Sequence, residues 1–595
     1  MVNAKKWCFL LCLAAVLRQP SAAPADEVFP SATLQKVNPM ADPRAVIGGD
    51  ISLFAHQYPE SFNYYLAVNS FCAELFGQMY ETLLDMDPLT AEYRPGLAAR
   101  WAISDDKKTF TFWLDPQAKW SDGRPVTAED VQWTFAAIMN PSNMTGPHKV
   151  TLEKFDPPVV VSNGCIRFTC REVHWRNLGA AGGFQILPRH VFGTMDFNKI
   201  NFEFPVVSGP CRLAENKEGV RVRLERRADW WRRADPWTAH LGNFQTITYR
   251  FFAEAENAFE AFKKGQIDVF PVYTSRLWVE ETRGERFDKN WIVKQRVENR
   301  RPSGFQGFAM NMRRPPFDDL HVRMAMAHLL NREEMNRRLM YSQYFLHRSY
   351  YEDLYSKENP CRNPVFEFSP DKARKLLAEA GWAADPKTGY LKKDGREFSF
   401  RFLNRDQSTE KFLTIYAEAL KTAGIRMEID RKDGAAWAKD MDEFNYDMTW
   451  AAWSEGLFKD PEPMWASREA DRAAGNNITG FKDPRVDQLI EQQKALFEIR
   501  KRNAICREID GLIAQQCPYV LLWNINAVRL LYWNKFDMPA TVLGKFSDES
   551  AVTGLWWFDE NAAADLAEAM ESGLPLPARP ETVVFENVFR PPQAP

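Results

Sequence analysis

Short strand-like runs alternate with amphipathic helices from about residue 50 to about residue 560. This alternation indicates an α/β or α+β protein whose sheets are covered by helices. At 595 residues the chain is too long for a single small domain. One long apolar run exists in the sequence and it is amino-terminal, which excludes a membrane protein with several spans. The pattern therefore predicts several lobes built from strands and helices.

Several helix boundaries follow from capping chemistry. Thr127 precedes the run AEDVQWTFAAIM, where its hydroxyl can cap the helix while Asp130 reaches back. Ser369 precedes the helix PDKARKLLAEA, and Gly381 supplies the left-handed residue that ends it. Asp483, followed by proline, begins another long helix. These signals predict where helices lie and leave function open.

The composition excludes two classes of protein. The chain has 76 basic and 79 acidic residues, 45% hydrophobic residues and 26% charged residues, which argues against a disordered chain. This charge balance also argues against a nucleic-acid partner, because such proteins carry a strongly basic face. The 20 Trp residues indicate a large core and a surface suited to stacking.

The first segment, residues 1–25, reads as a secretory signal peptide. Lys5 and Lys6 are followed by the apolar stretch 7–17 and then by small residues, with cleavage expected after Ala25. A buried amino-terminal helix is the alternative. Removal of this segment leaves 73 basic residues and seven cysteines, and it predicts a periplasmic protein without a lipid anchor.

The seven remaining cysteines show no C-x-x-C pair, so their spacing does not indicate a zinc or thioredoxin-type site. Export permits disulfides, and we expect structural bridges together with buried thiols. Because seven is odd, at least one thiol stays free or pairs between chains. Cys165 and Cys170 lie in GCIRFTC, whose alternation predicts a strand or hairpin.

The sequence carries none of the searched nucleotide-binding, zinc-protease or serine-hydrolase motifs. The eight histidines are dispersed, and His321 and His328 stand two helical turns apart, too far to share a metal. We therefore expect no enzyme activity, no cofactor and no metal site.

The positive signal is a set of motifs in a fixed order. The stretch 77–135 contains Tyr80-Glu81, Tyr93-x-Pro95-x-Leu97-Ala98, Trp101, Ser104-Asp105-Asp106, Trp120-Ser121-Asp122-Gly123 and Thr127-Ala128-Glu129-Asp130-Val131. Ser208-Gly209-Pro210 and the segments 256–269, 311–334 and 444–453 follow. In this order the chain resembles the extracellular solute-binding proteins of family 5, the dipeptide- and oligopeptide-binding type of ABC importers. The resemblance covers residues 50–560.

The resemblance implies a fold of the type II periplasmic binding proteins: α/β, with two lobes that close on a ligand by a hinge and with an extra domain. The first lobe is expected to take residues 46–85, 205–300 and 525–575. The extra domain is expected at 86–204 and the second lobe at 301–524. The Pro-rich tail 576–595 is expected to be a loosely packed extension.

The resemblance also implies a ligand site after the strand that ends at Trp453. Peptide-binding relatives place an Asp three residues beyond this Trp, where it pairs with the amino terminus of the peptide. This chain has Gly456 there, so Glu455 or Asp460 is expected to take that role, with Glu455 the first choice. The other possibility is that the ligand amine is absent or modified.

Further candidate residues surround that strand. The backbone of Ala451, Ala452 and Trp453 is expected to pair with an extended ligand as an added strand. Trp450 and Trp453 are candidate cleft aromatics, although a Trp in a strand is more often part of a core. Tyr80, with Phe76, is a candidate from the first lobe. Arg401 and Arg405 are candidates for a ligand carboxylate, with a solvated surface as the alternative.

The sequence thus predicts the periplasmic binding component of an ABC importer, which captures a peptide or peptide-like solute and delivers it to membrane permease subunits. We expect a monomer. The alternatives are an exported peptide-binding chaperone, or a protein that binds an oligosaccharide or another solute, on the same fold.

Overall fold

The computed structural model describes residues 27–30, 37–59, 61–66, 69–204 and 206–590. The predicted signal peptide lies outside the described residues. Within this part of the chain, no helix combines the length and the apolar character that a membrane crossing requires.

The chain up to residue 300 contributes thirteen of the described strands. They are β1 (Glu27–Phe29), β2 (Asp50–Ala55), β3 (Leu84–Met86), β4 (Tyr93–Pro95), β5 (Ala98–Ile103), β6 (Thr109–Leu114), β7 (Val159–Ser162), β8 (Cys165–Thr169), β9 (Cys211–Lys217), β10 (Arg221–Arg226), β11 (Thr246–Phe251), β12 (Val269–Pro271) and β13 (Ile292–Glu298). The helices are α1 (Ser70–Met79), α2 (Ala128–Met139), α3 (Gly146–Leu152), α4 (Arg176–Gly182), α5 (Arg189–Phe192), α6 (Ala255–Lys263) and α7 (Glu285–Asp288), with a π-helical turn at Leu277–Glu281.

The following stretch, to residue 524, is richer in helices. Its strands are β14 (Phe305–Met310), β15 (Phe345–Leu346), β16 (Ala383–Ala384), β17 (Leu391–Lys393), β18 (Arg396–Glu397), β19 (Ser399–Asn404), β20 (Arg426–Arg431), β21 (Met448–Trp453), β22 (Tyr519–Leu521) and β23 (Trp523–Asn524). Its helices are α8 (Leu320–His328), α9 (Arg332–Leu339), α10 (Pro370–Glu379), α11 (Glu410–Thr422), α12 (Gly434–Asp442), α13 (Glu462–Trp465), α14 (Pro484–Lys494) and α15 (Ile499–Gln516).

The carboxyl-terminal stretch returns to the first part of the chain. Its strands are β24 (Ala527–Trp533), β25 (Phe536–Asp537), β26 (Trp557–Phe558) and β27 (Thr582–Val584), and its helices are α16 (Val552–Leu555), α17 (Glu560–Ser572) and α18 (Phe585–Val588).

Sheet I is an eight-stranded mixed sheet in the order β27-β13-β24-β12-β2-β11-β10-β9. Strand β24 is buried at all of its positions, as expected for a strand covered on both faces. Leu530 and Tyr532 pack into the core on one face, while Leu531 and Trp533 pack with α6 and α17 on the other. The large apolar side chains of this strand therefore hold two helical layers to one sheet.

Sheets II and III are both five-stranded. Sheet II has the order β1-β5-β6-β8-β7 and is antiparallel throughout. Sheet III has the order β20-β19-β21-β14-β22, in which β19 runs parallel to β20 and β21 while β14 runs antiparallel to β21. Separate hydrophobic clusters pack around sheet III, so it has a core of its own. The chain passes between sheets I and III twice, from β13 to β14 and from β22, through the short strand β23, to β24. The α/β prediction is confirmed.

The helix boundaries predicted from capping are confirmed. The Thr127 hydroxyl accepts from the Asp130 backbone N–H, and the Asp130 carboxylate accepts from the Thr127 N–H at 2.9 Å. Ser369 caps α10, and Gly381 has φ of +86° just beyond its end. Asp483 accepts from two backbone N–H groups at the start of α14. Each motif spans only a few residues, so the local sequence is sufficient to specify it.

The expectation of a loosely packed tail is wrong for its described part. Thr582–Val584 adds to the edge of sheet I, parallel to β13, with Val583 opposite Val297. Val583 and Phe585 are both buried. A β-branched run after the prolines thus provides an edge strand.

The expectation of disulfide bridges is also wrong: all seven cysteines of the described residues are free thiols. Cys165 and Cys170 are an odd number of residues apart around β8, which confirms the predicted strand but directs successive side chains to opposite faces. Cys506 and Cys517 are separated by about three turns of α15, roughly 16 Å along its axis. Neither pair has the geometry of a bridge.

Candidate ligand-binding site

The carboxyl-terminal half of β21 has one free edge. Strand β14 pairs with β21 along its whole length, from Met310 opposite Met448 to Phe305 opposite Trp453. On the other side, β19 pairs only with Met448 and Thr449. Among the described residues, the edge from Trp450 onward therefore has no strand partner on that side. Unpaired backbone groups on such an edge can accept an extended peptide.

The two tryptophans of β21 lie on opposite faces of sheet III because they are an odd number of residues apart. The Trp450 indole N–H donates to the Gln306 side-chain oxygen at 3.0 Å. The Trp453 indole N–H donates to the Tyr519 hydroxyl at 3.2 Å. Both rings are half-buried against hydrophobic clusters, whereas Ala452 is exposed. The two indoles thus support the strand from both sides and cannot form one shared stacking surface.

Glu455 follows the strand in a half-buried position. Burial is the largest influence on it and raises the pKa of Glu455 from 4.5 to about 7. Lys459 opposes this rise, while Asp353 and Asp460 add to it. Burial therefore favours the neutral carboxyl, and a ligand cation placed beside it would favour the carboxylate form.

Lys459 is a fully buried cation next to Glu455. Its ammonium lies 2.8 Å from the Asp353 carboxylate and donates to the Gly456 carbonyl at 2.7 Å. The second oxygen of Asp353 is buried without a hydrogen-bond partner among the described residues. Gly456, the position at which an Asp was expected from the resemblance, is therefore next to a cation that belongs to the chain itself.

Asp460 is held by the first part of the chain. The Arg176 guanidinium donates to its carboxylate at 2.7 Å. The neighbouring Trp175 backbone and indole N–H groups donate to Lys494 and Gln493 at 2.9 and 2.8 Å. The start of α4 is thus joined to the region around α13 and α14 by charge and by hydrogen bonds.

His174, Asp460 and Glu462 bring one nitrogen and two carboxylates within 4.8 Å of one another, which is a geometry that could hold a metal. The surrounding contacts argue against that use. The His174 Nδ1 accepts from the Arg176 backbone N–H at 3.1 Å, which leaves the proton on Nε2, the nitrogen that faces the carboxylates. Lys494 pairs with Glu462 at 2.9 Å. Burial lowers the pKa of His174 to about 4, so the imidazole beside these paired acids is neutral.

One arginine candidate, Arg401, lies within β19, and the other, Arg405, lies just beyond its carboxyl end. Arg401 is opposite the start of β21, where its guanidinium pairs with Asp430 at 3.0 Å and its backbone N–H donates to Asp447 at 2.8 Å. It is therefore engaged at the end of the sheet away from Trp453. Arg405 lies at the carboxyl end of β19, exposed, with its guanidinium 4.4 Å from the Trp437 ring centroid. Arg405 remains accessible on the side where β21 ends.

Tyr80 and Phe76 are core residues, contrary to the expectation that they face a cleft. Each is 1% exposed, and their ring centroids are 4.6 Å apart. The Tyr80 hydroxyl donates to the Val206 carbonyl at 2.8 Å, which satisfies it internally. An aromatic cluster with Phe204 closes over both rings.

Sequence reasoning missed Arg176, Lys459 and Asp353 in this region. Each lies far along the chain from its partner, so no local spacing marks the contact. The one signal in the sequence is the run His174-Trp175-Arg176, which brings together three side chains able to bond to other side chains.

These features define a two-lobed α/β protein with an open strand edge beside buried charges, an arrangement suited to holding a ligand. Residues 92–475 match the family described as bacterial extracellular solute-binding proteins, family 5 Middle. The chain belongs to this family.

Known relatives cover most of the chain. It is 29% identical over 574 residues to the uncharacterized protein y4wM of Sinorhizobium fredii, a match that covers 88% of this chain and 85% of the relative. It is 28% identical over 510 residues to the probable peptide-binding protein YejA of Agrobacterium fabrum, covering 78% of this chain and 82% of that protein. The structure of the oligopeptide-binding protein AppA from Bacillus subtilis, in complex with a nonapeptide, has a similar fold, with a TM-score of 0.64 at 20% identity; the match covers 87% of this chain and 100% of AppA.

Proposed function

We propose that the protein captures a peptide or peptide-like solute and delivers it to the permease of an ABC importer. The observation that carries this proposal is the unpaired edge of β21 from Trp450 to Trp453, which ends beside Glu455. An extended ligand gains main-chain hydrogen bonds from such an edge, and these bonds do not depend on its side chains. The names of the peptide-binding relatives support the same class of ligand.

Glu455 is the proposed partner of the ligand amine. Asp460, the other candidate, is already paired with Arg176 at 2.7 Å, so it is less free to accept a second cation. Lys459 opposes a ligand ammonium in the same place, because like charges repel at short range. The balance between Glu455 and Lys459 sets how strongly a free amine is preferred over a blocked one.

In this proposal residues 1–25 direct export to the periplasm and are then removed, and the protein acts there as a monomer without catalysis. The sheets support the proposed division of the chain. Sheet I collects strands from the proposed first lobe (46–85, 205–300 and 525–575) and takes one edge strand from the tail. Sheet III is formed wholly from the second lobe, 301–524, and sheet II mainly from the extra domain, 86–204.

A ligand screen tests the proposal. Residues 26–595 would be purified, unfolded and refolded to release ligands acquired during expression, and incubated with a pool of random di- to pentapeptides. Retained peptides would be identified by native mass spectrometry, and thermal-shift assays would compare them with oligosaccharides and divalent metals. Retention of peptides is the expected result. Stabilisation by oligosaccharides with no retained peptide would refute the peptide proposal, and peptide binding without uptake through a reconstituted permease would favour a chaperone.

The role of Glu455 is tested with a retained peptide that carries either a free or an acetylated amino terminus. Glu455→Gln should weaken binding of the free-amine form by about tenfold or more and leave the acetylated form unchanged, because one charge-assisted contact is lost. The matched control is Glu498→Gln, an exposed carboxylate that pairs with Lys501. Equal losses for both peptides would assign the amine to another residue.

A further inference from the structure

Arg529 lies at the edge of sheet I that faces the crossings between the sheets. The parallel strands β2 and β12 end at this edge with Ala55 and Pro271, and antiparallel β24 begins there. Ligands of open α/β sheets bind outside the carboxyl ends of the parallel strands. The chain enters β24 from sheet III only a few residues before Arg529, so this residue is positioned where the two lobes meet.

The Arg529 guanidinium is buried without hydrogen bonds. The residue is 2% exposed, and its Nε, Nη1 and Nη2 atoms have no hydrogen-bond partner among the described residues. Arg323 is equally buried, and its guanidinium donates to the carbonyls of Gln516 and Phe317 at 2.9 and 2.8 Å. The buried Arg323 guanidinium thus donates to backbone carbonyls, whereas all three nitrogens of Arg529 lack such partners among the described residues.

The charges around Arg529 are also positive. Arg296 faces it directly across the β13–β24 pair, and its own Nε is buried and unpartnered. The acid nearest to this pair along β13, Glu298, is 3.1 Å from the Arg296 guanidinium and so is already paired. Lys294, on the same face, donates to the Trp278 carbonyl at 2.7 Å. Burial, together with Arg296, lowers the pKa of Arg529, and the Tyr344 hydroxyl offsets this only in part.

Aromatic rings from both lobes flank the guanidinium. Its central carbon lies 5.8 Å from the Trp278 ring centroid and 5.6 Å from the Tyr344 ring centroid. Trp278 belongs to the π-helical turn after β12, whereas Tyr344 precedes β15 in the second lobe. The rings stabilise the cation through their faces, and the Tyr344 hydroxyl also interacts with it.

We propose that Arg529 binds a carboxylate of the transported solute, between Trp278 of one lobe and Tyr344 of the other. A planar guanidinium donates two parallel hydrogen bonds to a carboxylate, a geometry that lysine cannot reproduce. A peptide carries such a group at its carboxyl terminus. This inference rests on the proposed function and adds the recognition of an anionic end of the ligand by the first lobe.

The test compares a peptide retained from the pool with the same peptide carrying a carboxyl-terminal amide, by isothermal titration calorimetry. The native protein should bind the free acid about 10- to 100-fold more tightly, because charge-assisted hydrogen bonds are lost in the amide. Arg529→Met should bind the two forms equally, and Arg529→Lys should retain only part of the preference. The matched control is Arg276→Met, an exposed guanidinium near the same turn, which should retain the full preference.

Thermal unfolding without peptide separates this role from a structural one. Replacing an unpaired buried charge with an apolar side chain should leave the melting temperature of Arg529→Met unchanged or raise it. A fall of several degrees, with the preference for the free acid retained, would make Arg529 a structural residue and overturn the inference.

Two further outcomes are also decisive. Peptides that bind with equal affinity as acid and amide would overturn this inference and leave the proposed function intact, whereas failure of any peptide to bind would remove both. The last measurement adds inorganic phosphate to the native protein and to Arg529→Met. If phosphate stabilised the native protein but not Arg529→Met, while acid and amide bound alike, the site would take a free anion rather than the solute.

Discussion

The buried ion pair between Lys459 and Asp353 is expected to dominate the local stability of the site. The Lys459 side chain is fully buried, the Asp353 side chain is 14% exposed, and the charged atoms are 2.8 Å apart. Lys459→Met leaves the Asp353 carboxylate without a cation. Its second oxygen already lacks a hydrogen-bond partner among the described residues, so the carboxylate has little internal compensation.

Breaking a buried pair by removing one partner costs about 3–5 kcal/mol, most of it the penalty of the charge left behind. The lost bond from Lys459 to the Gly456 carbonyl is part of the same change and is not added separately. We therefore expect Lys459→Met to lower the free energy of unfolding by about 3–5 kcal/mol.

Lys482→Met is the matched control. Lys482 pairs with Asp471 at 2.6 Å, but both side chains are more than half exposed, at 53% and 67%. Exposed pairs contribute about 0–1 kcal/mol, so the control should unfold at nearly the native urea concentration. The double variant Lys459→Met with Asp353→Asn removes both charges and should recover at least about 2 kcal/mol relative to the sum of the single changes.

Urea unfolding at constant pH, followed by far-ultraviolet circular dichroism and tryptophan fluorescence, measures these differences. Agreement of the two signals is required before free energies are compared, because a chain with two lobes can unfold in steps. A loss for Lys459→Met no larger than for Lys482→Met, or strict additivity in the double variant, would refute the assignment of a buried and mutually dependent pair.

Three other predictions concern pH, backbone and thiols. The pKa of Glu455 is raised from 4.5 to about 7, so the folded state binds the Glu455 proton more tightly than the unfolded state does. The free energy of unfolding should therefore fall as the pH rises from about 4.5 to about 7. Urea titrations across this pH range should show a smaller fall for Glu455→Gln. Gly304→Ala should be more destabilising than Gly219→Ala in the same assay. Both have positive φ, but an added Cβ at Gly304 would overlap the Trp453 carbonyl oxygen, whereas Gly219 is in open space. Equal effects would contradict a steric cause. Iodoacetamide should label Cys361 before the six buried cysteines, as measured by peptide mass spectrometry. A reducing agent should leave the melting temperature unchanged, because all seven described thiols are free.

Local sequence was sufficient for the elements whose determinants are close together. The Thr127 and Asp130 capping box and the Asp483 cap need only neighbouring residues, so both could be predicted, as could the strand around Cys165. The motif order also led to the correct family, because many weak motifs in one order are specific when taken together.

The site was only partly predictable. The resemblance predicted the strand that ends at Trp453 and named Glu455 as a candidate; the structure adds that this strand has a free edge and that Glu455 is half-buried. Tyr80 was misplaced because an aromatic residue near a helix end has the same sequence signal whether it faces a cleft or a core. Only packing against Phe204 and the bond to Val206 distinguish the two.

The sequence by itself determined the alternating elements, their caps and the family of the chain. The tertiary structure alone decided which charges are paired: Lys459 with Asp353, Arg176 with Asp460, and Arg529 with no acid among the described residues. The physical reason is that the cost of a charge depends on its burial and on partners brought from distant parts of the chain. Neither quantity is recorded in the spacing of residues along one strand or helix.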